Sequence, residues 1–176
     1  TDETLDIVSE FAVYFASNTV LDRSANGVYD AMNWGLLNVR TEYVYFLNSD
    51  DAVNADTLHK VLTATSKKKY DLLICAMDYE SRTGFQRNFA TLKRGDIFPS
   101  LSHQQIIFNK SIYDIIGNYR TDLKISADYE FFCRLQQHIN TGASIELYEM
   151  PDDSITTFFQ GGLSSKATIH DQLALY

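Results

Sequence analysis

A chain of 176 residues, 45% hydrophobic and 22% charged, can bury one sizeable core and has the balance of an ordinary globular domain. Its formal net charge of -8 argues against nucleic-acid binding, because contact with a phosphate backbone calls for a basic surface. The same acidity means that an anionic ligand needs local compensation, and a divalent cation held by carboxylates is its simplest form.

The chain opens on Thr1-Asp2-Glu3-Thr4, a helix cap and acidic first turn, followed by Leu5, Ile7, Val8, Phe11 and Ala12 at helical spacing. Asn18 to Leu21 is a short strand candidate, and Ser24-Ala25-Asn26-Gly27 reads as a loop. Val28 to Val39 reads as a helix with Ala31, Met32, Leu36 and Leu37 inward. Glu42 to Leu47 is an apolar, aromatic strand that ends in four polar residues, Asn48-Ser49-Asp50-Asp51. Ala55 to Thr65 is a predicted helix, with Lys67-Lys68-Lys69 suited to its negative end. Tyr70 to Met77 is a strand. Turn signals at Thr83-Gly84 and Arg94-Gly95-Asp96 bracket Phe85 to Lys93, so a hairpin is expected.

Further on, Gln104 to Phe108 is a strand, Ile112 to Ile116 a short helix, and Ala127 to His138 a helix with Phe131, Leu135 and Ile139 on one stripe. Ser144 to Tyr148 and Ile155 to Phe159 read as two strands, Gly161-Gly162 as a break, and Ser164 onward as helical. Cys75 and Cys133 lie in apolar runs and are expected as buried, reduced thiols. No run approaches the about 18 apolar residues of a membrane span, so any membrane contact is expected to be peripheral.

Alternation of helix and strand in the first half argues for an α/β domain whose central sheet is mostly parallel and flanked by helices. A strand is expected before the first helix, and none is present. Ligands bind such sheets at the carboxyl ends of strands, where the Asn48-Ser49-Asp50-Asp51 tetrad stands. Adjacent carboxylates there are costly unless hydrated, paired or bound to a cation, and hard oxygen ligands suit Mg2+ or Mn2+. Asp128 falls in the first turn of a helix, which favours its charged form. Asp30 and Asn33, three apart, share one helix face. The same residues have plainer readings as turn and capping groups.

Four segments stand in a telling order: Gly27-Val28-Tyr29-Asp30-Ala31-Met32-Asn33-Trp34-Gly35, Phe46-Leu47-Asn48-Ser49-Asp50-Asp51, Ser126-Ala127-Asp128-Tyr129-Glu130, and Gly161-Gly162-Leu163-Ser164-Ser165. With them the chain resembles the family 2 glycosyltransferases of the GT-A fold, in particular the bacterial branch that builds capsule, exopolysaccharide and lipopolysaccharide. The resemblance covers nearly the whole chain, and Gly27 to Asp51 is its most specific part. Thr1-Asp2-Glu3-Thr4 looks like the tail of the family's Asp-Gly-Ser-Thr-Asp-x-Thr box. By that likeness residues 1–176 are expected to be one catalytic domain with its first strand missing, and a helical pattern that reaches Tyr176 without a stop signal gives the expectation of a clipped far end.

The resemblance implies inverting transfer of a sugar from a nucleotide-sugar, UDP-linked by expectation, to a hydroxyl of a saccharide or lipid-linked acceptor. It implies Mn2+ or Mg2+ as cofactor and a cytoplasmic setting at the inner face of the membrane. Asp51 matches a direct metal ligand, and Asp50 a second one or a partner of the ribose. Asn48 stands where a first Asp can stand. Asp128 matches the general base, with Glu130 beside it. Asp30, Asn33, Asn48 and Asp50 are implied at the donor; His103, which opens the segment His103-Gln104-Gln105, is implied on the acceptor side with Glu130, Gly161 and Gly162. Two other classes fit the residues: another Mg2+ enzyme on an open sheet, such as a phosphatase using Asp50 or Asp51, and a binding domain without turnover.

Overall fold

Leu72 to Ala76 are fully buried, and a run of five such residues demands cover on both faces of a strand. In the computed structural model, which describes residues 3–20, 26–81, 84–88 and 101–159, that strand lies in the interior of a six-stranded sheet. The strands are β1 (Tyr43–Val44), β2 (Ala52–Val53), β3 (Leu72–Ser81), β4 (Gly84–Asn88), β5 (Ile106–Asn109) and β6 (Leu147–Phe159). Their order is β1-β5-β3-β6-β2, with β4 forming a hairpin on β3. The helices are α1 (Thr4–Phe11), α2 (Val28–Asn38), α3 (Ala55–Lys67), α4 (Ser111–Ile116) and α5 (Ala127–Asn140).

Side-chain alternation along β3 divides the core. Leu72 and Ile74 join Phe108, Phe131, Phe132 and Leu135 on the face covered by α2, α4 and α5. Leu73 and Cys75 join Ile107, Met150, Ile155 and Val61 on the face covered by α3. The start of α3 is fixed by Asn54, whose side chain accepts from the Thr57 backbone N–H at 3.0 Å.

Parallel pairing is confined to β3 beside β6; the other registers among the described residues are antiparallel. The element order hides this because β5 inserts between β1 and β3 and runs against both. β1, β3 and β6 therefore still share one direction, and the carboxyl ends of β1 and β3 still fall on one side. The two expected strands Ser144 to Tyr148 and Ile155 to Phe159 are one strand with an irregularity. Cys75 pairs with Met150 and Ala76 with Ser154, so Pro151, Asp152 and Asp153 bulge out of the ladder. Proline has no N–H to give to a ladder, which explains the break that local sequence suggests.

Other expectations shift in detail. Met32 and Leu36 are buried, but Ala31 and Leu37 are exposed, so the apolar stripe of α2 is narrower than its composition. Cys75 is buried as expected, while Cys133 is exposed, because α5 turns Phe131, Phe132 and Leu135 to the sheet. Asn18 to Val20 carry no regular structure, and Leu21 lies outside the described residues. The turn expected at Arg94-Gly95-Asp96, Gly161, Gly162 and the helix expected from Ser164 onward also lie outside them. No helix among the described residues is long and apolar enough to cross a membrane.

Candidate active site

Where β1 and β3 end, a cleft of about 830 Å³ opens. Its walls come from Phe46 to Asp50 after β1, from Met77 and Tyr79 on β3, and from the amino ends of α2 and α5. Two helix amino ends facing one cleft bring positive dipole ends to it, as binding an anion in an acidic protein requires. Lys124, ahead of α5, lines the same space.

The tetrad is a turn. The Asp51 N–H donates to the Asn48 carbonyl at 3.2 Å, which carries Asn48, Ser49 and Asp50 into the cleft wall. Asp51 is half-buried. Its Oδ2 accepts from Gln104 Nε2 at 3.4 Å, while its Oδ1 is buried without a hydrogen bond. Burial raises the Asp51 pKa above the usual carboxylate value; the Gln104 hydrogen bond opposes this and the Asp50 charge adds to it. Gln104 is itself fixed. Its carbonyl accepts from Thr156 Oγ1 at 2.7 Å and from the Tyr45 hydroxyl at 3.2 Å, and its amide oxygen accepts from Ser102.

Asp128 is held by a different set. Tyr29 donates its hydroxyl to Asp128 Oδ1 at 2.9 Å, and His103 Nδ1 lies 3.0 Å from Oδ2. Burial pushes the Asp128 carboxyl up, but the hydrogen bond and charge of His103 and the Tyr29 hydroxyl outweigh it, so its pKa falls below the ordinary value. The same burial, with the Asp128 charge, drives the Tyr29 phenol well above its normal range. The residue before α5's first turn, Ser126, has a left-handed backbone at φ 67, uncommon without glycine. That strained turn lines the cleft and sets where α5 begins, and so where Asp128 stands.

Of the residues singled out in the sequence, Asn48, Asp50, His103 and Asp128 line one cleft, and Asp51 joins them through Gln104. Three others are placed elsewhere. Asp30 Oδ2 accepts the Asn26 N–H at 2.9 Å, shaping the entry to α2. Asn33 exchanges two hydrogen bonds with the Tyr119 backbone, at 2.8 and 3.0 Å. Glu130 is bound by the Arg134 guanidinium one helical turn on. The sequence alone assigns no role of their own to Tyr29, Gln104 and Lys124. The signal for Gln104 and its neighbour Gln105 was two amides entering an apolar strand, which need built partners if buried.

Asn33→Ala should therefore lower stability by about 1–3 kcal/mol, the cost of leaving buried backbone groups unsatisfied, and leave nucleotide-sugar affinity unchanged. Chemical denaturation and calorimetry on the same preparation check this.

The sequence model described as Glycosyl transferase family 2 matches residues 1–136. The chain belongs to this family. Among its relatives, the "PGL/p-HBAD biosynthesis glycosyltransferase" proteins of Mycobacterium bovis and Mycobacterium tuberculosis are 31% identical over 137 residues, covering 76% of this chain. The chain spans about half of their length, 54%. Among solved structures, S. aureus TarS superposes with a TM-score of 0.75 at 19% identity, covering 99% of this chain and 31% of TarS. A TarS 1-349 structure in complex with UDP-GlcNAc gives 0.74 at 22% identity, covering 96% and 50%. These likenesses show the GT-A fold, a mixed sheet flanked by helices.

Proposed function

We propose that this protein transfers a sugar from a nucleotide-sugar, of the UDP class, to a hydroxyl acceptor, with inversion at the anomeric carbon. The observation that carries the reading is one cleft served by two carboxylates in opposite states: Asp51 with an unpartnered oxygen, Asp128 fully hydrogen-bonded and ionised. Family membership and a UDP-GlcNAc-bound structural neighbour support it. The acceptor we infer is a saccharide or lipid-linked intermediate of cell-surface polysaccharide or glycolipid synthesis, met at the cytoplasmic face of the membrane.

A divalent ion fits the donor end. Among the described residues no three His, Cys, Asp or Glu side chains gather into a closed metal cage. Mg2+ in phosphate-handling sites needs only one or two carboxylates, with substrate phosphates and water completing its shell. The orphaned Asp51 Oδ1, beside Asp50, is such a donor. Asp51 and Asp50 would hold Mn2+ or Mg2+, which offsets charge on a leaving diphosphate when bound. Gln104 orients Asp51; Lys124 and the helix amino ends favour the anionic donor. The Asp128 carboxylate supplies the negative charge that draws the proton from the acceptor hydroxyl, and direct displacement then needs no covalent sugar-enzyme intermediate.

Calorimetric titration of UDP and UDP-sugars, with and without EDTA, tests this. We expect binding that weakens when metal is removed. Equal affinity in both conditions would sink the metal role, and no binding of any nucleotide-sugar would sink the donor assignment.

A further inference from the structure

Each Asp128 oxygen already accepts a hydrogen bond, Oδ1 from Tyr29 and Oδ2 from His103. A carboxylate can only accept, so the proton between His103 and Asp128 sits on Nδ1. The opposite ring nitrogen, Nε2, then carries a lone pair while the ring is neutral. It is buried and makes no hydrogen bond. Besides the Asp51 Oδ1, it is the only buried side-chain polar atom of the described residues in this condition. The His103 side chain is 10% exposed and lines the cleft beside Asp128. Its backbone is fixed by a short 3₁₀ turn, where the Ser102 N–H donates to the Gln105 side chain at 3.1 Å.

We propose that His103 Nε2 takes the proton from the acceptor hydroxyl, with Asp128 holding the opposite nitrogen and Tyr29 holding Asp128. This rests on the sugar-transfer reading and refines its proton acceptor. In the step, the acceptor O–H bond breaks and an N–H bond forms at Nε2. The acceptor oxygen forms its bond to the anomeric carbon, and the bond from that carbon to the diphosphate oxygen breaks with its electron pair. His103 becomes an imidazolium next to an ionised Asp128, and among the described residues Asp50 and Lys124 are the other charged side chains on the cleft wall. The depressed Asp128 pKa agrees: a carboxylate stabilised in its charged form is a weak proton acceptor but a good partner for a charged ring.

His103→Ala in the full-length protein is the test. We expect kcat to fall about 100-fold or more with donor affinity held, and added imidazole to restore part of kcat in proportion to its concentration. A kcat within about three-fold of the parent overturns the proposal. So does a loss with donor affinity held that imidazole does not relieve. If the alanine variant does not fold, His103→Gln is read by kcat and donor affinity: loss of the first alone supports the proposal, retention of both overturns it. Absence of transfer from any nucleotide-sugar by the unaltered protein would instead overturn the sugar-transfer reading.

Discussion

Replacing Asp128 by Asn should cut the rate of sugar transfer about 100- to 10,000-fold and leave donor affinity where it was. In the proposed step the Asp128 carboxylate holds His103 Nδ1 and steadies the imidazolium that forms. Asn keeps the shape but removes the charge, and its amide can offer His103 Nδ1 a donor as readily as an acceptor, so the ring tautomer is no longer fixed. Donor affinity should hold because Asp50 and Asp51 stand on the turn after β1, while Asp128 stands on α5. A purely structural Asp128 predicts otherwise: roughly 0.3–1 kcal/mol of lost stability from the helix dipole, and a normal rate.

Stability against pH adds a second readout for the same variant. The Asp128 pKa is depressed in the folded protein. Its contribution to stability is therefore present above the unfolded carboxylate pKa and is lost as pH falls through the folded value. The gap in melting temperature between parent and Asp128→Asn should be widest near neutral pH and close in acid. A gap that does not change with pH would show that the carboxylate is not stabilised in its charged form.

The fold and the tetrad were legible because their signals are local. Helical periodicity gave Val28 to Val39 for a helix that runs Val28–Asn38, and a strand followed by four polar residues gave the turn at the cleft. The partners of Asp128 were not, because Tyr29 lies 99 residues away along the chain and no periodicity links the two. The same limit applies to Asn33, whose place on a helix face is readable but whose tie to Tyr119, 86 residues on, is not. Glu130 has a partner one turn along its own helix, Arg134, and that spacing is readable in the sequence. Cys133 was placed inside because two phenylalanines precede it, but a helix face turns about 100° per residue, and Phe131, Phe132 and Leu135 already fill the inward arc. The sheet's mixed pairing was hidden for a topological reason, since β5 enters between strands that are its predecessors in the chain.

Asp51→Asn should weaken metal-assisted donor binding by more than the roughly 10- to 100-fold typical of losing an outer-shell partner, and at the same time raise the melting temperature of the metal-free protein. The two effects have one cause. Burial and the neighbouring Asp50 raise the Asp51 pKa, so the folded state holds the charged form at a cost. A carboxyl with a raised folded pKa adds stability below its unfolded pKa, and that stability is lost as pH rises through the folded value. At neutral pH the metal-free protein therefore carries an unfavourable charge, which Asn removes. Gln104 can keep its hydrogen bond, because Asn also offers a carbonyl oxygen in place of Oδ2. A divalent ion relieves the same charge in the parent, so Mn2+ should raise the parent's melting temperature and hardly move that of the variant. Melting curves at neutral pH with Mn2+ or with EDTA, alongside calorimetry with a UDP-sugar, measure all three. A variant that melts no higher than the parent without metal, and gains as much as the parent when Mn2+ is added, would show that Asp51 neither bears the strain of burial nor meets the ion.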